Sequence, residues 1–169
     1  MATPIQQNLV NKNGEYASKF DQGSLALPPA KSYAIVTCMD ARIDPAPAFG
    51  IALGDAHVIR NAGANARNAI RDLVISEQFL ATKEVLLIKH TGCGMLTFTN
   101  DFAHDHIAKT LGPEAAAEIK DVNFNPFPDL ENAVKDDVAY LKASKVIPEG
   151  ITISGWVYEV ETGKVKSIV

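Results

Sequence analysis

Three short runs of apolar, β-branched residues alternate with longer amphipathic stretches along this chain. The runs lie at 33–37, 56–60 and 85–88, and each has the composition of a strand buried on both faces. Between the second and third runs, residues 65–81 carry apolar side chains at helical spacing, over a length that suits a crossover connection. The order strand, helix, strand predicts an α/β fold with a mainly parallel central sheet that helices cover.

The rest of the pattern adds helices and two closing strands. Helices are expected at 98–111 and 130–143, and a loop rich in proline and asparagine separates them at 123–128. Residues 151–158 and 165–169 are typical of strands joined by a turn that contains glycine.

Residues 1–30 precede the first strand as a polar, weakly helical arm that ends in two prolines. Such an arm either packs on a partner subunit or frays. The whole chain has 169 residues, which is the size of one domain with its own core. We therefore expect a single domain over 1–169, with the arm at 1–30.

Charge and hydropathy exclude two classes of partner. Sixteen Lys and Arg against twenty Asp and Glu give a net charge of -4, whereas nucleic-acid binding needs a clustered basic surface. The longest apolar runs are about half as long as a membrane span, and no charged-then-apolar leader opens the sequence. We expect no nucleic acid and no membrane among the partners, and a cytoplasmic location.

Residues with catalytic or metal-binding chemistry follow each of the three predicted parallel strands. Cys38, Asp40 and Arg42 follow the first strand, the second runs into an Arg-Asn-Ala-Gly segment, and His90 and Cys93 follow the third. Open α/β sheets place their ligands at this edge. If the first and third strands are neighbours, two thiolates and one imidazole converge, which is a donor set that suits zinc and leaves a fourth position open.

Each piece has a plainer explanation when it is taken alone. A cysteine at a strand end is usually a small buried apolar residue, and an Asp-x-Arg pair is usually a solvated ion pair. Cys38 and Cys93 could instead form a redox dithiol, or a zinc could only stabilise a non-catalytic, oligomeric binding protein. Asp40 and Arg42 favour an enzyme over that protein, because a structural zinc needs neither of them.

The other histidines carry less weight. His104 and His106 are two residues apart, which faces them differently on a helix, so a second metal site is not expected there. His57 lies within a strand and is expected to be packed and hydrogen-bonded. Lys89 directly precedes His90 and is expected on the opposite side of the strand.

In order and spacing, these motifs resemble those of the β-class carbonic anhydrases of the short type, over about residues 33–169. The family pattern reads Cys-x-Asp-x-Arg, then Arg-Asn-Ala-Gly, then His-x-x-Cys-Gly. The matching positions are Cys38, Asp40, Arg42, Arg60, Asn61, Ala62, Gly63, His90, Cys93 and Gly94. The resemblance implies that Cys38, His90 and Cys93 hold one Zn²⁺ per chain and that Asp40 and Arg42 form the catalytic dyad.

The resemblance also implies an activity and an assembly. In such an enzyme, zinc-bound hydroxide attacks a small linear heterocumulene, and reversible hydration of CO2 to bicarbonate is the first expectation. Hydrolysis of carbonyl sulfide to CO2 and hydrogen sulfide by the same residues is the alternative, since the subgroup is similar to carbonyl sulfide hydrolases. A homodimer or a dimer of dimers is expected, with the site at a subunit boundary.

Two positions depart from the family pattern. Gly92 stands where many members carry Asp, Asn or Ser, so one polar contact near the metal is absent. Ile35 stands where the bicarbonate-regulated members carry Trp. Regulation by bound bicarbonate therefore loses its main support in this sequence.

Overall fold

The predicted strands form one five-stranded sheet in the computed structural model, which describes residues 1–169. The strands are β1 (Tyr33–Cys38), β2 (Ala56–Asn61), β3 (Glu84–His90), β4 (Thr152–Tyr158) and β5 (Val165–Ser167). They lie in the order β2-β1-β3-β4-β5, in which the first four are parallel and β5 runs antiparallel to β4. The first and third strands are therefore neighbours, which is the condition under which the cysteines and the histidine converge.

Helices flank the sheet and connect its strands. They are α1 (Pro4–Ala17), α2 (Pro45–Phe49), α3 (Ala66–Phe79), α4 (Asn100–Leu111), α5 (Pro113–Glu118) and α6 (Leu130–Ala143). The arm helix and the three longer predicted helices are confirmed, and α6 has its predicted bounds. Neither α2 nor α5 was predicted, because both are short and begin with proline. Proline is favourable in a first helical turn but in a sequence it usually indicates a break.

The sheet separates two apolar clusters, and the alternation of side chains along each strand decides which cluster a residue joins. Val85 and Leu87 of β3 pack beneath α3 and α6. Ile88 joins the opposite cluster, which contains both cysteines. By the same alternation His90 lies on the side of the cysteines and Lys89 on the side of the helices, as expected.

The arm helix α1 lies outside both clusters. None of its residues is buried, although Thr3 and Gln6 form a capping box at its start. Its apolar side chains Ile5 and Leu9 are 81% and 67% exposed. None of the helices combines the length and the apolar character that a membrane span requires.

Candidate metal centre

The predicted donor set converges at the carboxyl edge of the sheet. Cys38 ends β1, His90 ends β3, and Cys93 follows after a turn at Gly92, whose φ of +60° favours glycine. One ligand atom from each of the three side chains lies within 4.8 Å of the others, and all three residues are buried.

The distances and hydrogen bonds of this group fit a zinc ion. The two sulfur atoms are 4.0 Å apart, close to the roughly 3.8 Å expected for two thiolates on one tetrahedral zinc. The Nδ1 of His90 lies 2.8 Å from the carbonyl oxygen of Thr91, an arrangement that places the proton on Nδ1 and the lone pair on Nε2. That buried Nε2 has no hydrogen-bond partner in the protein. A metal ion would satisfy it.

The surroundings of Cys38 favour its ionised form. The pKa of the Cys38 thiol is lowered, first by the hydrogen bond from the Cys93 thiol and also by the backbone N–H of Gly63, 3.3 Å from Sγ. A preformed thiolate at Cys38 lowers the cost of metal binding, because bound cysteines must lose their protons. The same hydrogen bond raises the pKa of the Cys93 thiol, so a metal ion would have to displace that one proton. The cluster is therefore suited to a divalent cation.

The Asp40 and Arg42 side chains form a two-pronged ion pair beside these donors. Arg42 donates from Nε to Oδ1 of Asp40 at 2.9 Å and from Nη2 to Oδ2 at 2.7 Å, and its backbone N–H adds a third bond. These hydrogen bonds hold the pKa of the Asp40 carboxyl well below its usual range. Oδ2 lies 3.7 Å from Nε2 of His90, so an ionised carboxylate stands at the edge of the donor group.

Gly92 lies against the guanidinium of Arg42. Its backbone carbonyl accepts a hydrogen bond from Arg42 Nη2 at 3.0 Å. A Cβ at position 92 would lie 3.7 Å from the guanidinium. A polar side chain at this position would therefore contact Arg42 in addition to the carbonyl, and that second contact is absent here.

Two supporting residues were not assigned a role from the sequence. Arg60 donates to the carbonyl oxygens of Cys38 and Asp40 at 3.0 and 2.8 Å, which fixes the backbone between the donor and the carboxylate. Glu161 accepts a hydrogen bond from the hydroxyl of Thr91 at 2.7 Å. The Arg-Asn-Ala-Gly segment could have indicated a role for Arg60. No sequence pattern indicates Glu161, which lies in a turn 70 residues after Thr91.

The remaining histidines lie outside the donor group. His57 is hydrogen-bonded through Nδ1 to the hydroxyl of Ser76 at 2.7 Å, as expected for a packed residue. His104 contacts the carbonyl of Val122 at 2.9 Å, and His106 stacks on an exposed phenylalanine of α4.

A cleft of about 570 Å³ leads to the cysteines. Apolar side chains line most of it, including Met39 and Met95, while Asp40 and Arg42 supply its charged groups. Met39 is 66% exposed. The cleft therefore presents a largely apolar surface to a small molecule next to one carboxylate and one guanidinium.

Comparison with known proteins agrees with this geometry. The family model described as carbonic anhydrase matches residues 33–165, which is most of the chain and includes every residue of the donor group. The chain belongs to the β-carbonic anhydrase family. The structure of the carbonic anhydrase from Glaciozyma antarctica is similar to it, with 47% sequence identity, a TM-score of 0.94, and coverage of 99% of this chain and 100% of that one.

The chain is also similar to two relatives whose names give different activities. Beta-carbonic anhydrase 1 of Mycobacterium tuberculosis is 37% identical over 167 residues, which cover 97% of this chain and 98% of that protein. The carbon disulfide hydrolase of Saccharolobus solfataricus is 35% identical over 157 residues, covering 78% of this chain and 74% of that protein.

Proposed function

We propose that this β-carbonic anhydrase catalyses the reversible hydration of CO2 to bicarbonate, with a zinc ion held by Cys38, His90 and Cys93. The observation that carries the proposal is the buried Cys-His-Cys group with the ion pair of Asp40 and Arg42 at its edge. The full-length similarity to carbonic anhydrases supports it.

The residues around the donor group have distinct tasks. Zinc, when bound, supplies the acidity that turns water into a hydroxide nucleophile near neutral pH. Asp40 accepts a hydrogen bond from the attacking oxygen and so directs its lone pair at the substrate carbon. Arg42 keeps that carboxylate ionised and donates to both of its oxygens, so that neither is free to bind the metal.

The cleft suits a small, linear substrate without hydrogen-bond donors. CO2 and carbonyl sulfide both fit that description and share an electrophilic carbon, so the same residues can act on either. Similarity to carbon disulfide hydrolases favours sulfur-containing heterocumulenes as a second candidate substrate class. Hydrolysis of carbonyl sulfide to CO2 and hydrogen sulfide is accordingly the alternative function.

Parallel progress curves on one zinc-loaded sample separate the two functions. CO2, carbonyl sulfide and carbon disulfide are supplied in turn at matched concentrations. Proton release is followed for CO2, and release of hydrogen sulfide for the two sulfur compounds. A kcat/KM that is highest for CO2 supports the proposal. A higher value for carbonyl sulfide would assign the chain to the alternative function, and a highest value for carbon disulfide would contradict both assignments.

We also propose that the chain works as a homodimer or a dimer of dimers. An isolated helix of the 14 residues of α1 is marginally stable in water, yet α1 buries none of its residues within the chain. Its exposed side chains Ile5, Leu9 and Tyr16 would be covered by packing on a second copy. The exposed Met39 at the mouth of the cleft is consistent with a site that lies near such a contact.

A further inference from the structure

Lys89 is a fully buried lysine next to the metal centre, with 1% of its side chain exposed. Its Nζ donates to the carbonyl oxygens of Gly63 and Ala64, at 2.8 and 3.1 Å, and lies 2.8 Å from Oδ2 of Asp137. These three acceptors use all three N–H bonds of the ammonium group. An unpaired buried charge is strongly disfavoured, so the ammonium group depends on these acceptors. The loop after β2 in turn depends on the ammonium group, which satisfies two of its carbonyl oxygens.

The loop that Lys89 holds has an unfavourable backbone. Gly63 and Ala64 have φ values of +73° and +52°, so two consecutive residues lie in the left-handed region. That region is disfavoured for alanine because of its Cβ, and such strain persists only where the surroundings impose it. The ammonium group of Lys89 helps to impose this conformation, since the carbonyls of both residues accept hydrogen bonds from its nitrogen. Asp137 of α6 anchors it from the other side.

The same loop contacts the candidate donor Cys38, because the backbone N–H of Gly63 lies 3.3 Å from its sulfur. The loop is tightly packed at this point: a Cβ on Gly63 would lie 2.7 Å from Cγ of Met95. We propose that Lys89, ion-paired with Asp137, is a positioning residue of the metal centre that keeps this N–H directed at the Cys38 sulfur. The inference rests on the proposed zinc site but not on the identity of the substrate.

The hydrogen bond has an electronic consequence. An N–H that donates to a thiolate withdraws electron density from sulfur, which makes the thiolate a weaker donor and leaves the metal more acidic. When Lys89 is removed, the loop relaxes and Cys38 becomes the stronger donor. In a cobalt-substituted protein, charge transfer from this sulfur to the metal then requires less energy, and its absorption band moves to longer wavelength.

The test uses the full-length protein with Zn²⁺ for kinetics and Co²⁺ for spectroscopy. Lys89→Met removes the ammonium, and the double variant Lys89→Met, Asp137→Asn also neutralises the carboxylate that would be left unpaired. The amide introduced by Asp137→Asn retains an oxygen for the backbone N–H of Ala66, which donates to Asp137 at 3.2 Å in the wild type. Lys83→Met, at an exposed lysine just before β3, is the matched control.

We expect the double variant to keep one zinc per chain, to show the cobalt band at longer wavelength, and to lose about 10–100-fold in kcat for CO2. The control should match the wild type in zinc content, in the position of the cobalt band and in kcat. A folded double variant with an unchanged band and unchanged kcat would overturn the inference, even with a lower melting temperature, because Lys89 would then serve stability alone.

A measurement on the wild type needs no variant to fold. In the ¹¹³Cd-substituted protein, the amide proton of Gly63 should show scalar coupling to the metal through the Cys38 sulfur, and its absence would also overturn the inference. A wild-type cobalt protein without any thiolate-to-metal band would instead contradict the metal site on which the proposed function depends. The two failures are therefore distinguishable.

Discussion

Glu77 offers a test of how burial controls the stability of this fold. It lies on α3 with 8% of its surface exposed, and both of its carboxylate oxygens are buried without a hydrogen-bond partner. Burial raises the pKa of this carboxyl to about 7, because a charge without a partner is disfavoured away from water. Glu77→Gln removes the charge and keeps the shape of the side chain.

The sign and size of the effect follow from the pKa. The carboxyl of Glu77 binds its proton more tightly in the folded chain, at about 7, than at the ordinary value of 4.5. Its contribution to stability is therefore fully present below pH 4.5 and is lost as the pH rises through 7. At about 1.4 kcal/mol for each pKa unit, the full loss is about 3 kcal/mol. Between pH ~5.5 and ~8.5 the loss amounts to about 2 kcal/mol.

The Gln variant does not titrate, so its stability relative to the wild type should rise by that amount over this interval. The assay is thermal unfolding of zinc-loaded wild type and variant at both pH values, where a relative gain of about 4–8 °C in Tm is expected for a chain of this size. Glu118→Gln, at an exposed position on α5, is the control and should show no such trend. A stability difference between Glu77→Gln and the wild type that stays constant with pH would show that folding does not raise the pKa of Glu77.

Three further predictions address the donor group, the ion pair and the arm. Elemental analysis should find that Cys93→Ser has lost most of its zinc and that His106→Ala, a variant at an exposed histidine, has kept it. Full zinc in Cys93→Ser would contradict the donor assignment. Arg42→Ala should keep zinc but turn over more slowly, with the carboxylate of Asp40 on the metal in a crystal structure; wild-type turnover would contradict the dyad. Leu9→Asp should weaken assembly in light scattering, and an unchanged oligomer, or an active wild-type monomer, would count against the proposed role of α1.

The sequence predicts the position of the donor group well, because its chemistry stands at the ends of strongly patterned strands. Once β1 and β3 are recognised as neighbouring parallel strands, Cys38 and His90 must lie at one edge of the sheet. The bounds of α6 are also predicted, because Val134, Val138 and Leu141 repeat at helical spacing and Asp129 stands at the capping position.

Buried polar contacts between distant elements could not be predicted in this way. Asp137 interrupts the apolar face of α6, and Glu77 interrupts that of α3, which is a local signal that each is buried. The signal does not name a partner. Asp137 binds Lys89 of β3, whereas Glu77 has no hydrogen-bond partner, and only the packing of helices on the sheet distinguishes the two outcomes.

The proposed function requires that the carboxylate held by Arg42 acts on the substrate at a zinc site. Its most direct test is the CO2 hydration rate of Asp40→Ala compared with the wild type at equal zinc content. Because Asp40 is proposed to orient the attacking oxygen and not to bind the metal, the variant should keep its zinc and fold and lose about a hundredfold or more in turnover. An Asp40→Ala protein with full zinc and a wild-type rate would contradict this role of Asp40.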